Sequence, residues 1–533
     1  MRSLRGKKTE FCILLTVISL ALTGCTMPAG ISWPLDPGGR EAAETSTAAG
    51  SDTQFTTLGL TPDLDYDKPV VGSHIEIDQL GYRTNDRKIA IFRGDVLSDS
   101  YSVVDAESGR SVYSGVIESK AKVGTEEMYY YGDFSELKSK GTYYICTDVI
   151  GYSYPFSISD DIYSGLYRDA VRQYYMNRCG VSLTAEYAGE NVRSACHTEP
   201  ISLQQDAGVT LDVSGGWHLN SSGDRYVSRG CNIIEALLLA YEYNTQAFDP
   251  DADLPESGND VPDILDELKV ETDWILKMQD QSTGMVYSGV ISTDKGLGLE
   301  NPCYIAPADI STTLSFASAL GYFSYIYQSV DTAYATTCLQ AADRAMKYVA
   351  RSPESVNENE YFRAATMLYR ATGYQNYRNI IDAYCADRKT YDISDNVVFS
   401  GVVSYLATKQ KTDPAVCGIM MNDLRKYAEN MSSVRRDMLY LLDGNGESIE
   451  YQSLLAEIAR LTVVNYIISS NEYENLMGQY LHYLLGCNPY NTCYVGQYGS
   501  VNISDSDPSR DILRQPESDA YFILLLSGIG GIN

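Results

Sequence analysis

From Asp161 to the C-terminus the apolar residues keep a helical period, and this feature most narrows the folds open to the chain. Tyr163, Leu166, Ala170 and Tyr174 stand three or four apart. The same spacing returns in Ile233–Ala240, Ile264–Leu268 with Trp274–Met278, Leu314–Ile326, Ala341–Val349, Tyr361–Tyr369, Val397–Leu406, Leu454–Ile468 and Leu476–Leu485. Apolar residues at that interval line one face of a helix. About a dozen helices with scarcely a strand pattern predict one large all-α domain. No short fixed period runs through them, which argues against a TPR-like or ankyrin-like stack. With no polar capping repeat in view, a closed ring of helical hairpins suits the pattern better than an open solenoid.

Upstream the period is different. His74–Leu80, Lys88–Phe92, Tyr101–Val104, Ser111–Val116, Met128–Gly132, Gly141–Thr147 and Tyr152–Ile158 are short apolar or alternating runs separated by Gly, Asp, Asn and Ser. Strands at that spacing predict a β-sandwich. Residues 26–65, rich in Ser, Thr, Ala, Gly and Pro, read as a flexible spacer. Before them, Arg2, Arg5, Lys7 and Lys8 precede an apolar stretch from Phe11 to Leu22, the layout of a secretory signal. It closes on Leu22-Thr23-Gly24-Cys25, which resembles a bacterial lipobox and implies a lipidated Cys25 at the mature N-terminus. A plain signal peptide or an uncleaved anchor is the alternative. The expected units are a signal at 1–24, anchor and spacer at 25–71, sandwich at 72–159 and helical domain at 160–533.

Charge excludes one class of partner. The chain has 41 Lys plus Arg against 70 Asp plus Glu, a net charge of −29. Removing residues 1–24 takes away four basic residues and one acidic residue, leaving −32. Nucleic-acid binding needs basic patches that displace counterions, so no nucleic acid is expected. Once Cys12 and Cys25 are set aside, ten of the 12 cysteines are spread through a long chain, too thinly for a disulfide scaffold. Tyr is abundant at 44 while Trp numbers 3. Trp33 lies in the spacer, so Trp217 and Trp274 alone remain for the helical domain, with Trp274 at a core spacing.

Five segments carry a family resemblance. They are Ile75-Glu76-Ile77-Asp78-Gln79-Leu80-Gly81-Tyr82; Arg178-Cys179-Gly180 with Ala195-Cys196-His197-Thr198; Asp212-Val213-Ser214-Gly215-Gly216-Trp217-His218; Pro255 through Glu267 with Trp274 and Lys277-Met278-Gln279; and Tyr483-Leu484-Leu485-Gly486-Cys487-Asn488-Pro489. In this order they resemble glycoside hydrolase family 9, in the subgroup with an N-terminal immunoglobulin-like domain. The resemblance implies a multidomain chain: an immunoglobulin-like β-sandwich, then an (α/α)6 barrel with an open cleft across one end. It further implies endo-type, inverting hydrolysis of β-1,4-glucan, a polysaccharide partner, and substrate contacts from Trp217, His218 and Asp212. A monomer without an organic cofactor is expected, touching the membrane through its lipid alone.

The catalytic positions depart from that pattern. An inverting enzyme needs one carboxylate to activate water and one protonated carboxyl to release the leaving oxygen, about 6.5–9.5 Å apart. In the family, Gly-Gly-Trp-His continues as Asp-Ala-Gly-Asp, whose second Asp is the base. Here it continues Leu219-Asn220-Ser221-Ser222, so Leu219 and Ser222 replace both carboxylates. Asp224, two residues late, is the candidate substitute base. Otherwise it is a loop Asp with local partners. The family's acid is a Glu opening the last helix, and Glu517 in Gln515-Pro516-Glu517 occupies a similar place. An acidic residue in a first turn after Pro is also ordinary dipole compensation. The His-rich loop after Leu-Gly-x-Asn-Pro is missing: Gly496 to Arg510 has no His, and the chain holds just His74, His197, His218 and His482.

Some relatives carry zinc near the barrel mouth, and Cys179, Cys196 and His197 match three of its ligands. Zinc favours four ligands, thiolate and imidazole among them. The fourth is open, with Glu199 and Cys231 as guesses. Buried thiols beside a satisfied His are the alternative. Calcium is common in the family and is given no position. These readings leave hydrolysis absent or very weak as the expectation. The alternatives are an active enzyme with Asp224 as relocated base and a non-catalytic glycan-binding or structural surface lipoprotein.

Overall fold

The computed structural model describes residues 73–529 apart from 123–125, 127, 249–250, 295, 297, 352–355, 436–437 and 441–450. The signal, Cys25 and the spacer lie outside the described residues. Two sheets form the N-terminal unit. One orders β1 (Ile75–Glu76), β3 (Ile89–Phe92), β7 (Met128–Asp133) and β6 (Glu118–Ala121). The other orders β2 (Gly81–Tyr82), β10 (Phe156–Ile158), β8 (Gly141–Thr147), β4 (Ser100–Asp105) and β5 (Ser111–Val116), with β9 (Gly151–Tyr152) on β8. Tyr82 is fully buried between Phe134 and Phe156, its ring edge-on to both at 5.4 and 5.6 Å. Every expected strand run is present. In the first run β1 ends where Asp78 turns the chain by accepting from the Leu80 and Gly81 amides, and β2 begins just beyond it; the last run divides into β9 and β10 on either side of residues 153–155. β6, with its polar Glu-Ser-Lys-Ala sequence at a sheet edge, has no apolar alternation to betray it.

Among the described residues, twelve helices of eight or more residues follow. They are α1 (Ser164–Asn177), α2 (Val227–Tyr243), α3 (Asp263–Lys277), α4 (Ile310–Tyr327), α5 (Thr332–Val349), α6 (Glu358–Thr372), α7 (Gln375–Cys385), α8 (Asn396–Ala407), α9 (Pro414–Arg435), α10 (Tyr451–Ile467), α11 (Asn471–Leu484) and α12 (Pro516–Gly528). Even-numbered helices pack on one another, α2–α4–α6–α8 on one arc and α10–α12–α2 on the other, with odd-numbered helices outside. This is an (α/α)6 barrel of six hairpins. Inner helices α4 and α8 read as apolar nearly all round, as buried helices do. Their N-terminal ends gather at one end of the barrel. There Asp309, Asn357 and Asp395 cap α4, α6 and α8 by accepting from amides of the first turn. No described helix is long and apolar enough to cross a membrane.

The two domains meet along the first and last of the five motifs. Gln79 donates its amide to the Leu485 carbonyl (2.9 Å) and its side chain to the Asn491 carbonyl (2.8 Å). Its Oε1 accepts from the Val501 amide at 3.0 Å. Asp78 bonds His482 at 2.8 Å, and the buried Glu76–Arg93 pair extends to the Pro489 carbonyl.

Candidate functional site

The loop leading into α2 is built on glycines that only glycine can fill. Gly216 has φ +76°, and a Cβ there would stand 2.6 Å from the Trp274 ring. That close approach buries Trp217 completely. Its indole Nε1 donates to Glu267 (2.8 Å), its amide to Glu271 (2.8 Å), and its ring meets Tyr174 at 4.7 Å. Trp217 therefore offers no face to a sugar, correcting the expectation of a substrate contact. Trp274 is buried, as its spacing predicted. Asp212 is exposed. It accepts from the Ser214 amide and hydroxyl (3.1 and 2.7 Å) and faces Lys277 at 3.7 Å, contacts that order the loop.

Beneath the loop lies a set of largely buried charges, Arg178, Glu256 and Glu267 from two of the motifs and Arg225 and Glu271 from outside them. Arg178 is clamped between Glu256 (2.9 Å) and Glu267 (2.7 Å). Arg225 donates to the carbonyls of Val213 (2.7 Å) and Gly215 (2.6 Å), with its guanidinium 5.5 Å from the Trp274 ring centre. Burial pushes the Glu271 carboxyl up to about 8.

Asp224 closes the loop on itself. Its two neighbours β13 (Arg225–Tyr226) and β14 (Tyr287–Ser292) pair antiparallel, and β15 (Cys303–Ala308) completes the sheet. A separate two-stranded ribbon, β11 (Ile201–Ser202) with β12 (Thr210–Leu211), flanks it. Asp224 has no exposed surface. Oδ1 accepts from the Ser292 amide at 2.8 Å, while Oδ2 accepts from Asn220 Nδ2 (2.9 Å) and the Tyr226 hydroxyl (3.1 Å). Burial works against its charge, but the bonds from Asn220, Ser292 and Tyr226 outweigh it and hold the carboxyl below its ordinary range. Asn220 Oδ1 in turn accepts from the amides of Ser222 and Asp224. Leu219 and Ser222, at the positions where the family pattern has carboxylates, are buried too.

Glu517 lies across the same end of the barrel, in the first turn of α12. Both its oxygens accept from Arg229 of α2, and each side chain of the pair is about a third exposed. Two residues on, Asp519 is fully buried with neither oxygen partnered, and burial raises it far above the carboxylate range. In the His-free loop, the Arg510 guanidinium lies 5.8 Å from the rings of both Tyr451 and Tyr494, which stack at 5.1 Å.

Cys179, Cys196, His197 and His218 come together, their donor atoms all within 4.8 Å of one another. Cys196 Sγ is 3.9 Å from Cys179 Sγ and 3.5 Å from His218 Nε2, and Cys179 Sγ is 3.4 Å from His197 Nδ1. Tetrahedral zinc, with Zn–S about 2.3 Å and Zn–N about 2.0 Å, separates two sulfurs by about 3.8 Å and sulfur from nitrogen by about 3.6 Å. The donor set fits. The fourth residue of the group is His218, neither Glu199, which is exposed, nor Cys231, which is sealed within α2. The family resemblance implied a substrate contact for His218, and the structure places it against Cys196 instead. A second His beside a Cys-His pair, in a chain with four, was the available signal. Among the described residues this is the one group of three or more His, Cys, Asp or Glu side chains placed to share an ion.

Comparison with known proteins adds to this geometry. Residues 163–506 match the model described as Glycosyl hydrolase family 9, and residues 70–151 match the Cellulase N-terminal ig-like domain. Endoglucanase D of Acetivibrio thermocellus is 26% identical over 529 residues, covering 92% of this chain and 77% of that protein. The Cellodextrinase of Butyrivibrio fibrisolvens is 26% identical, covering 79% and 84%. The crystal structure of a metagenome-derived glycoside hydrolase family 9 endoglucanase superposes with a TM-score of 0.76 at 23% identity, covering 86% of this chain and 99% of that one.

Proposed function

Because the chain belongs to glycosyl hydrolase family 9, we propose that it is a lipid-anchored surface protein that binds β-glucan-type polysaccharide and hydrolyses it very weakly or not at all. One observation carries this reading: Asp224, the carboxylate nearest the base position after Gly-Gly-Trp-His, is buried with both oxygens engaged. A general base must reach the water it deprotonates, directly or through one water. Asp224 would have to break three hydrogen bonds and leave the interior to do so. Ser222 has no group that takes a proton from water near neutral pH. Across the cleft, Glu517 is held at both oxygens by Arg229, so donating a proton to a leaving group requires that pair to part first. Polysaccharide binding is carried over from family membership; Tyr451 and Tyr494 are themselves buried, and the first-turn amides of α4, α6 and α8 are taken by their caps.

The metal reading is part of the proposal. Cys179, Cys196, His197 and His218 hold a zinc ion that ties the end of α1, the 193–202 loop and the Trp217 loop together. Four protein donors leave no open coordination position, so the ion supplies cross-linking and no chemistry. The signal and the Leu22-Thr23-Gly24-Cys25 sequence support export and a lipid at Cys25.

Reducing-sugar release from soluble β-glucans, run beside affinity electrophoresis on the same polymers, tests the reading. Retardation without release is the expected outcome. Release that Asp224→Ala abolishes would overturn it and identify a relocated base, while silence in both assays would overturn glycan binding.

A further inference from the structure

Arg193 stands where three parts of the metal site converge. Its Nη1 donates to Cys196 Sγ at 3.3 Å. Its Nη2 donates to the carbonyls of Met176, at 3.3 Å, and Arg178. Its own backbone pairs with Leu183 through both amide and carbonyl, at 3.3 and 2.9 Å. The final carbonyls of a helix lack partners within it and carry partial negative charge. One guanidinium therefore closes the end of α1, which leads directly into Cys179, and contacts the sulfur of the opposite ligand loop. Cys196 is the half-exposed thiol of the cluster, Cys179 the buried one. Among the described residues, Arg193 is the sole Arg or Lys hydrogen-bonded to either sulfur.

We propose that Arg193 is a positioning residue for the metal: its guanidinium fixes the Cys196 thiolate in the cluster and sets how tightly zinc is held. The inference rests on the zinc reading above. A charged N–H donor to an anionic acceptor gives a stronger bond than a neutral one. Here it offsets thiolate charge on the side that solvent reaches and leaves the sulfur one fewer direction in which to swing away. Outer partners of metal ligands commonly govern affinity by about 10- to 100-fold.

The experiment uses the full chain loaded with zinc or cobalt(II). Chelator competition gives the zinc affinity, and the sulfur-to-cobalt charge-transfer band reports the electron density at the thiolates. Arg193→Gln is expected to lower zinc affinity about 10- to 100-fold and to move the cobalt band to lower energy, since an unbonded thiolate is easier to oxidise. Arg193→Lys, which keeps the charge but cannot serve the sulfur and both carbonyls together, should fall between. If the band stays in place in both variants while the thermal midpoint drops, Arg193 merely caps α1 and the proposal is overturned. Should Arg193→Gln fail to fold, the band position in Arg193→Lys decides. Wild-type protein that takes up neither metal sinks the zinc reading itself, an outcome separate from failure of Arg193 alone.

Discussion

Asp224 keeps its charge without any exposed surface, and that combination sets how the loop responds to acid. Its folded pKa lies below the ordinary 3.8, so the stability it contributes is complete above that value and is lost as pH falls through the lower folded value. Asp224→Asn, which strips acceptor capacity from Asn220, Ser292 and Tyr226, should cost about 2–4 kcal/mol near neutrality. In urea unfolding, the gap between native protein and variant should close as pH is lowered past 3.8. A gap constant with pH would show that the carboxylate charge is not what the loop uses. Glu271 has the opposite sign. Its carboxyl rises from 4.5 to about 8 on folding, so the unfolded chain ionises first and stability falls as pH climbs between those values. Glu271→Gln should remove that fall, with the variant gaining on native protein across the interval; parallel profiles would sink the assignment. At this scale the sequence told the chemistry by subtraction. Leu219 and Ser222, by their identities alone, carry the proposal that the base is lost. What Asp224 and His218 do instead depends on partners tens of residues away, Ser292 for one and Cys196 for the other, and no local pattern encodes them.

The elements were easier to read, because periodicity is a local property and packing follows it. Each helical run became one of the long helices among the described residues, and they alternate between inner and outer rings although long loops and small sheets separate α1 from α2 and α3 from α4. β6 was invisible since an edge strand with Glu, Ser and Lys has no buried face to mark it. The Trp217 loop was misread for a different reason. The family resemblance implied that Trp217 contacts substrate, yet the glycines are there to let Trp274 and Trp217 pack under the chain. Gly216→Ala tests that account. It places a Cβ against the Trp274 ring and puts a non-glycine residue at φ +76°. Backbone strain and overpacking together should cost about 2–4 kcal/mol, measurable as a lower denaturant midpoint. The loop carries His218, so metal retention should fall with it. An alanine variant as stable as the native protein would mean that the loop has room this packing denies.

Across the whole molecule, the two domains are joined by a seam that both the first and last motifs supply. Ile75-Glu76-Ile77-Asp78-Gln79 begins as a strand of the sandwich and ends bonded to the barrel at Leu485, Asn491 and Val501. Neither motif shows in isolation that the other is its partner, so the domain order was legible and the joint was not. Glu76 and Arg93 lie almost wholly inside this seam, 2.9 Å apart, and Arg93 also donates to the Pro489 carbonyl of the barrel. Desolvating two charges is expensive, and breaking such a pair by removing one partner typically costs about 3–5 kcal/mol, while replacing both can be nearly neutral. Arg93→Met leaves Glu76 charged in the seam and removes the donor to Pro489, so its cost should fall on the joint rather than on either core. Unfolding followed by sandwich and barrel tyrosine signals should then separate into two transitions where the native protein shows one. Adding Glu76→Gln to Arg93→Met should recover much of the loss and draw the transitions together. If the double variant is as damaged as the single, the pair's charge is irrelevant and the seam is held by the Gln79 bonds and the Asp78–His482 contact instead.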